Sequence, residues 1–153
     1  MNLWRLSGAA HATAFDGGYG LFFDGRWNSV GYAITYAATS PSLCVLEKLV
    51  HIEDPALLPP LVMVRYAVPH DLAAERIDLA DLPPDWRADE GRTQRIGEEW
   101  HRGGRTALLY VPSAVAPLEG SPDVNVVINH AHTGSARIAI ADAVPFTLDL
   151  RLL

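Results

Sequence analysis

Six β-prone runs spread along the chain, with two helical stretches between them, restrict this sequence more than any other feature. The runs are residues 2–6, 32–38, 61–68, 106–111, 124–128 and 145–152, and 76–79 is a further candidate. Strands that outnumber helices and do not alternate regularly with them point away from a doubly wound parallel sheet. They predict a single α+β domain with a mixed or antiparallel sheet and a few helices. The first helix is predicted from Ser40-Pro41, a hydroxyl N-cap followed by proline in the first turn. Leu43, Leu46 and Val50 then fall at helical spacing and predict its buried face. The second covers residues 93–102, with Ile96 and Trp100 on one side and Gly103-Gly104 to end it.

Residues 7–31 fit neither class. The stretch is dense in glycine and aromatics, too long for a hairpin turn and too aromatic for a linker. Long irregular segments inside compact domains tend to carry function. With 153 residues, 49% hydrophobic and 20% charged, the chain can bury its own core as one domain, 1–153. Twelve basic against eighteen acidic side chains leave a net charge of -6. No basic surplus exists to replace counterions on a phosphate backbone, so direct nucleic-acid contact is not expected. The single Cys44 excludes an internal disulfide and a multi-thiolate zinc site, and its apolar neighbours suggest inert packing. The first fifteen residues lack the apolar core of a signal peptide. The longest uncharged run, 27–46, holds Asn28, Gly31 and Pro41 and is unsuited to crossing a bilayer. A cytoplasmic location without membrane contact is the expectation.

Several residues suggest chemistry. Glu47 lies four residues after Leu43 and three before Val50, at the rim of the apolar face. It is either a solvent-reaching rim carboxylate or one half-withdrawn from water, suited to a cation or a sugar hydroxyl. Arg26, between Gly25 and Trp27, is either a turn residue covering the indole or a fork for a phosphate pair. Ser113 follows a strand and a proline but lacks the Gly-x-Ser-x-Gly elbow of a hydrolase nucleophile, so a turn serine is the default. Asn125 and Asn129 flank an apolar run and either bind a ligand or end the strand. His130-x-His132 with His101 or His51 matches no strong zinc spacing, and no metal is expected. Gly18-Tyr19-Gly20 is neither a phosphate loop nor a dinucleotide fingerprint. These residues suggest an anion-binding cleft containing a carboxylate, without naming a reaction.

In chain order, short motifs follow one another: Trp4-Arg5-Leu6, Phe15-Asp16-Gly17-Gly18, Gly25-Arg26-Trp27-Asn28, Tyr36-Ala37-Ala38-Thr39-Ser40 and Leu46-Glu47-Lys48-Leu49-Val50-His51. Gly97 with Trp100, Val111-Pro112-Ser113-Ala114-Val115, and Asn125 with Ile128-Asn129-His130 complete the series. Over nearly the whole chain this order resembles the RES domain, the toxin half of Xre–RES toxin–antitoxin pairs. The resemblance carries the family's Arg onto Arg26, its Tyr onto Tyr36, its Glu onto Glu47, its Ser onto Ser113 and an Asn onto Asn125. It departs at His130, where the family often has Pro.

The resemblance implies a fold similar to ADP-ribosyltransferase toxins and an activity that consumes NAD+ as substrate, with no separate cofactor. The reaction is either hydrolysis or phosphorolysis of the nicotinamide–ribose bond. Transfer of ADP-ribose to a protein, or a non-catalytic nucleotide-binding module, are the alternatives. Glu47 would stabilise positive charge on the ribose, Arg26 would clamp the diphosphate, and Tyr36 would stack on nicotinamide. Ser113 and Asn125 would contact the nicotinamide or its ribose. A cognate Xre-type antitoxin is the implied partner, and self-association is compatible with the family.

Overall fold

In a computed structural model that describes residues 1–153, five of the six β-prone runs join two further strands in one seven-stranded sheet. The strands are β1 (Asn2–Gly8), β2 (Ile34–Ala38), β3 (Leu61–Ala67), β4 (Ala74–Arg76), β5 (Leu108–Val111), β6 (Asn125–Asn129) and β7 (Ala139–Phe146). Their spatial order is β4-β5-β6-β2-β1-β3-β7. Only the β4–β5 pair is parallel, so the sheet is mixed. Three α-helices accompany it: α1 (Gly18–Phe22), α2 (Pro41–Leu49) and α3 (Glu90–Gly103). This is the α+β architecture expected from the pattern of runs.

Two local expectations change. The last strand begins at Ala139 and stops at Phe146, whereas Leu150–Leu152 is a 3-10 turn whose Asp149 side chain accepts from the Arg151 amide. β7 is an edge strand on β3 and is mostly exposed, so its residues carry little apolar alternation. Its Pro145 is tolerated because an edge strand need not donate on both sides. The glycine-rich segment also contains α1, a short helix led in by Gly17 at φ 76.

Side chains alternate across the sheet. Register puts Tyr36 opposite Val127, and Ala38 and Val111 opposite Asn125, all on one face. That face carries two separate apolar clusters. One gathers Trp27, Ile34, Trp86, Trp100, Leu109, Val111 and Val127 under α3. The other gathers Ala38, Leu43, Cys44 and Met63 under α2. The opposite face packs Leu3, Val64, Tyr66, Leu108, Val126 and Ile128 against Ala12, Phe15 and Ile138.

The roll of α2 differs from the expected one. Ser40 caps it, its hydroxyl accepting from the Leu43 amide at 3.2 Å, as predicted. Leu43 and Cys44 are buried, but Leu46 and Val50 are 43% and 59% exposed. The inward stripe is therefore Leu43, Cys44 and Glu47, related by i+3 and i+4 steps. Cys44 is packing, as expected, and burial pushes its thiol up to about 12, so it stays protonated. The inward turn of Glu47 is tolerated because Asn125 of β6 and Ser113, just past β5, donate hydrogen bonds to it.

Candidate active site

Glu47 projects from α2 between the two apolar clusters of the sheet face. Its Oε1 accepts from Ser113 Oγ at 2.7 Å and from Asn125 Nδ2 at 2.6 Å. Its Oε2 has no hydrogen-bond partner within the chain. One carboxylate oxygen is thus immobilised while the other is left to a ligand. Ser113, 1% exposed, does two jobs. Its hydroxyl donates to Glu47 and accepts from the amides of Val115 and Ala116 at 3.0 and 3.2 Å, closing the turn after β5. The Ser113 hydroxyl thus ties the Glu47 carboxylate to the turn after β5.

Tyr36 and Arg26 form the second half. The Tyr36 hydroxyl donates to Asn28 Oδ1 at 2.6 Å and accepts from the Trp27 amide at 3.0 Å. Burial pushes the phenol far above its ordinary value of 10.0, so it stays protonated. Gly25 and Asn28 exchange backbone hydrogen bonds in a tight turn that lies directly on the Tyr36 ring. A Cβ at Gly25 would come within 2.8 Å of both Tyr36 Oη and Asn28 Oδ1, so glycine is required for this approach. Arg26, on that turn, donates from Nη1 to the Arg87 carbonyl at 3.3 Å, and its guanidinium lies 5.6 Å from the centre of the Trp86 ring. Its Nε and Nη2 make no hydrogen bond within the chain.

The fold therefore joins Glu47, Ser113 and Asn125 by direct bonds and sets Tyr36 beneath the turn that carries Arg26. Register relates the two halves: Tyr36 and Asn125 are diagonal cross-strand neighbours on one face, a separation of about 7 Å. The Arg26 guanidinium forms no ion pair with Glu47. Of the two asparagines flanking the apolar run, only Asn125 faces this site. Asn129 is fully buried, donating to the His101 carbonyl and accepting from the Ala131 amide.

The histidines do not converge. His130 sits 2.8 Å from Thr35 Oγ1 and edge-on to Phe15, on the sheet face opposite Glu47. The departure from the family's usual Pro thus lies behind the site. His132 accepts from the Gly134 amide, and His101 lies 3.4 Å from the Ala33 carbonyl. No three His, Cys, Asp or Glu side chains gather as metal ligands would. One further participant is Asn28, 1% exposed, which accepts the hydrogen bond of the Tyr36 hydroxyl and donates to the Phe23 and Ser29 carbonyls. Its place after Gly25-Arg26-Trp27 was visible, but not its partner eight residues on.

The RES domain profile matches residues 2–149. "Toxin Res" of Photorhabdus laumondii is 33% identical over 100% of this chain and 97% of its own length. "Toxin Res" of Pseudomonas putida is 36% identical over 99% of each. The "Prs ADP-ribosylating toxin" of Sphingobium sp. is 34% identical over 99% of this chain and 96% of its own length. Among solved structures, the M. tuberculosis MbcT–MbcA toxin–antitoxin complex contains a chain with the same fold, at TM-score 0.66 and 20% identity, covering 95% of this chain and 84% of that one. With a profile match over almost every residue and end-to-end relatives above 30% identity, the chain belongs to the RES domain family.

Proposed function

We propose that this chain is the toxin of a toxin–antitoxin pair and that it consumes NAD+ by breaking the bond between nicotinamide and ribose. The observation that carries this reading is Glu47, with one oxygen fixed by Ser113 and Asn125 and the other unbonded, its partner Asn125 being the diagonal cross-strand neighbour of Tyr36. Breaking the bond sends its electron pair to the nicotinamide ring, which leaves neutral, and positive charge develops on the ribose. A preoriented carboxylate stabilises that charge, as in glycoside hydrolysis. Arg26 uses the free edge of its guanidinium on the diphosphate, and Tyr36 offers its ring to nicotinamide. NAD+ is the substrate, and no further cofactor takes part in the step.

A carboxylate here weighs against a binding module without catalysis. The dinucleotide is anionic, so Glu47 favours it only where a cation develops. Water or phosphate is the entering nucleophile. Transfer to a protein is the second reading, favoured by the name of the Sphingobium relative at 34% identity. An NAD+-draining chain needs restraint, which a cognate Xre-type antitoxin supplies; the partner, not this acidic chain, then makes any DNA contact.

The test is purified chain incubated with NAD+, with and without phosphate, and with cell protein as acceptor. Nicotinamide with ADP-ribose identifies hydrolysis, a ribose-phosphate product phosphorolysis, and labelled protein transfer. No loss of NAD+ under any condition overturns the proposal.

A further inference from the structure

An arginine on an irregular turn is a poor anion receptor unless its backbone is held, because ordering it on binding costs affinity. The turn at residues 25–29 is held from two sides. From the sheet, Tyr36 bonds Trp27 and Asn28. From the other side, one face of α3 takes hold of nearly every residue of the turn. Thr93, fully buried, has Oγ1 2.5 Å from the Arg26 carbonyl and 3.0 Å from that of Glu90. Gln94 Nε2 donates to the Gly25 carbonyl at 3.0 Å. Glu98 accepts from the Ser29 amide at 2.8 Å and from its hydroxyl. Those bonds hold the Glu98 carboxyl below its ordinary value of 4.5, so it remains an ionised acceptor at neutral pH. Gly97 lies so close that a Cβ there would stand 1.9 Å from the Trp27 carbonyl oxygen.

The i,i+4 pairs Thr93–Gly97 and Gln94–Glu98 share one side of the helix, so the contacts form a continuous clamp. A helix threonine commonly bonds its own i−3 carbonyl, and Thr93 is placed to do so with Glu90. The shorter approach is to the Arg26 carbonyl, the backbone of the residue whose side chain is to be aimed.

We infer that Thr93 is a positioning residue for Arg26: α3 clamps the 25–29 turn so that the free Nε/Nη2 edge of Arg26 is presented, already oriented, to a diphosphate. This rests on the reading of Arg26 as the diphosphate ligand. Thr93 touches no substrate and acts only through the Arg26 backbone. Its effect therefore belongs to binding, and the chemical step at Glu47 is spared.

The test uses ADP-ribose, which has the diphosphate but no scissile bond, together with NAD+ kinetics. Thr93→Val keeps the shape and removes the hydroxyl. It is expected to weaken ADP-ribose binding and raise KM about tenfold, with kcat within about threefold. Thr93→Ser keeps the hydroxyl and should restore wild-type binding. Equal losses in the Val and Ser variants assign Thr93 to packing volume and overturn the inference, as does unchanged binding in Thr93→Val. If Thr93→Val does not fold, Gln94→Ala decides at a partly exposed position: weaker ADP-ribose binding at normal kcat supports the clamp, and unchanged binding overturns it. Arg26→Ala separates the two levels. If it leaves ADP-ribose binding intact, the diphosphate reading has failed; if it abolishes binding while Thr93→Val does not, only the positioning role has.

Discussion

Glu47 shows how a half-buried carboxylate can be held at one oxygen and still offer the other. Both donors reach the same oxygen, Ser113 at 2.7 Å and Asn125 at 2.6 Å, which orients the group and leaves Oε2 available. Its charge is expected to matter only as the ribose becomes cationic. Glu47→Gln preserves the shape and should reduce turnover by about two to four orders of magnitude. ADP-ribose binding should barely change, because the lost interaction belongs to the transition state. Near-normal turnover by a folded Glu47→Gln protein would remove the central residue of the proposed reaction.

At the scale of elements, α3 is a clamp whose closeness depends on a missing side chain. Gly97→Ala would drive a methyl into the backbone of Trp27, 1.9 Å from its oxygen and 2.9 Å from its carbonyl carbon. Neither atom is a flexible tip, so helix and turn must separate, at a cost of about 1–3 kcal/mol or more. Gly91, on the same helix, has open surroundings, with its nearest contact the Arg95 side chain at 3.6 Å. Gly91→Ala should therefore be neutral or stabilising by up to about 1 kcal/mol. Thermal melts of the two variants, compared with wild type, check the contrast. Equal melting temperatures would show that the α3–turn contact is not tight.

At the scale of the whole molecule, the sheet separates a polar site on one face from a half-buried histidine on the other. Burial pulls His130 down from 6.5 to about 4; Asp16 raises it slightly, and Arg5 and His101 lower it. The folded state thus keeps the imidazole neutral where the unfolded chain takes up a proton. Its contribution is fully present above pH 6.5 and is lost as pH falls from 6.5 toward 4. Urea midpoints at pH 7 and pH 5 should show a smaller acid loss for His130→Gln than for wild type. Equal losses would place the linkage elsewhere.

What the sequence determined by itself is what interactions within a few residues decide. Ser40-Pro41 starts α2, Gly104 at φ 61 ends α3, and five of the six β-prone runs, all but 145–152, become strands, because caps, glycine and residue shape act locally. The motif order also carried the family, because it spans the chain. Tertiary structure alone decided the roll of α2, which turns Glu47 inward and Leu46 outward, since donors at Ser113 and Asn125 outweigh the apolar pattern. The motif order puts the family's Asn at Asn125, and tertiary structure brings that residue, not Asn129, against Glu47 and sends His130 to the far side. The exposed edge strand β7 escaped notice because pairing with β3, and not burial, makes it a strand. The clamp on Arg26 joins residues more than sixty positions apart, and only sheet register and helix packing bring them within a hydrogen bond.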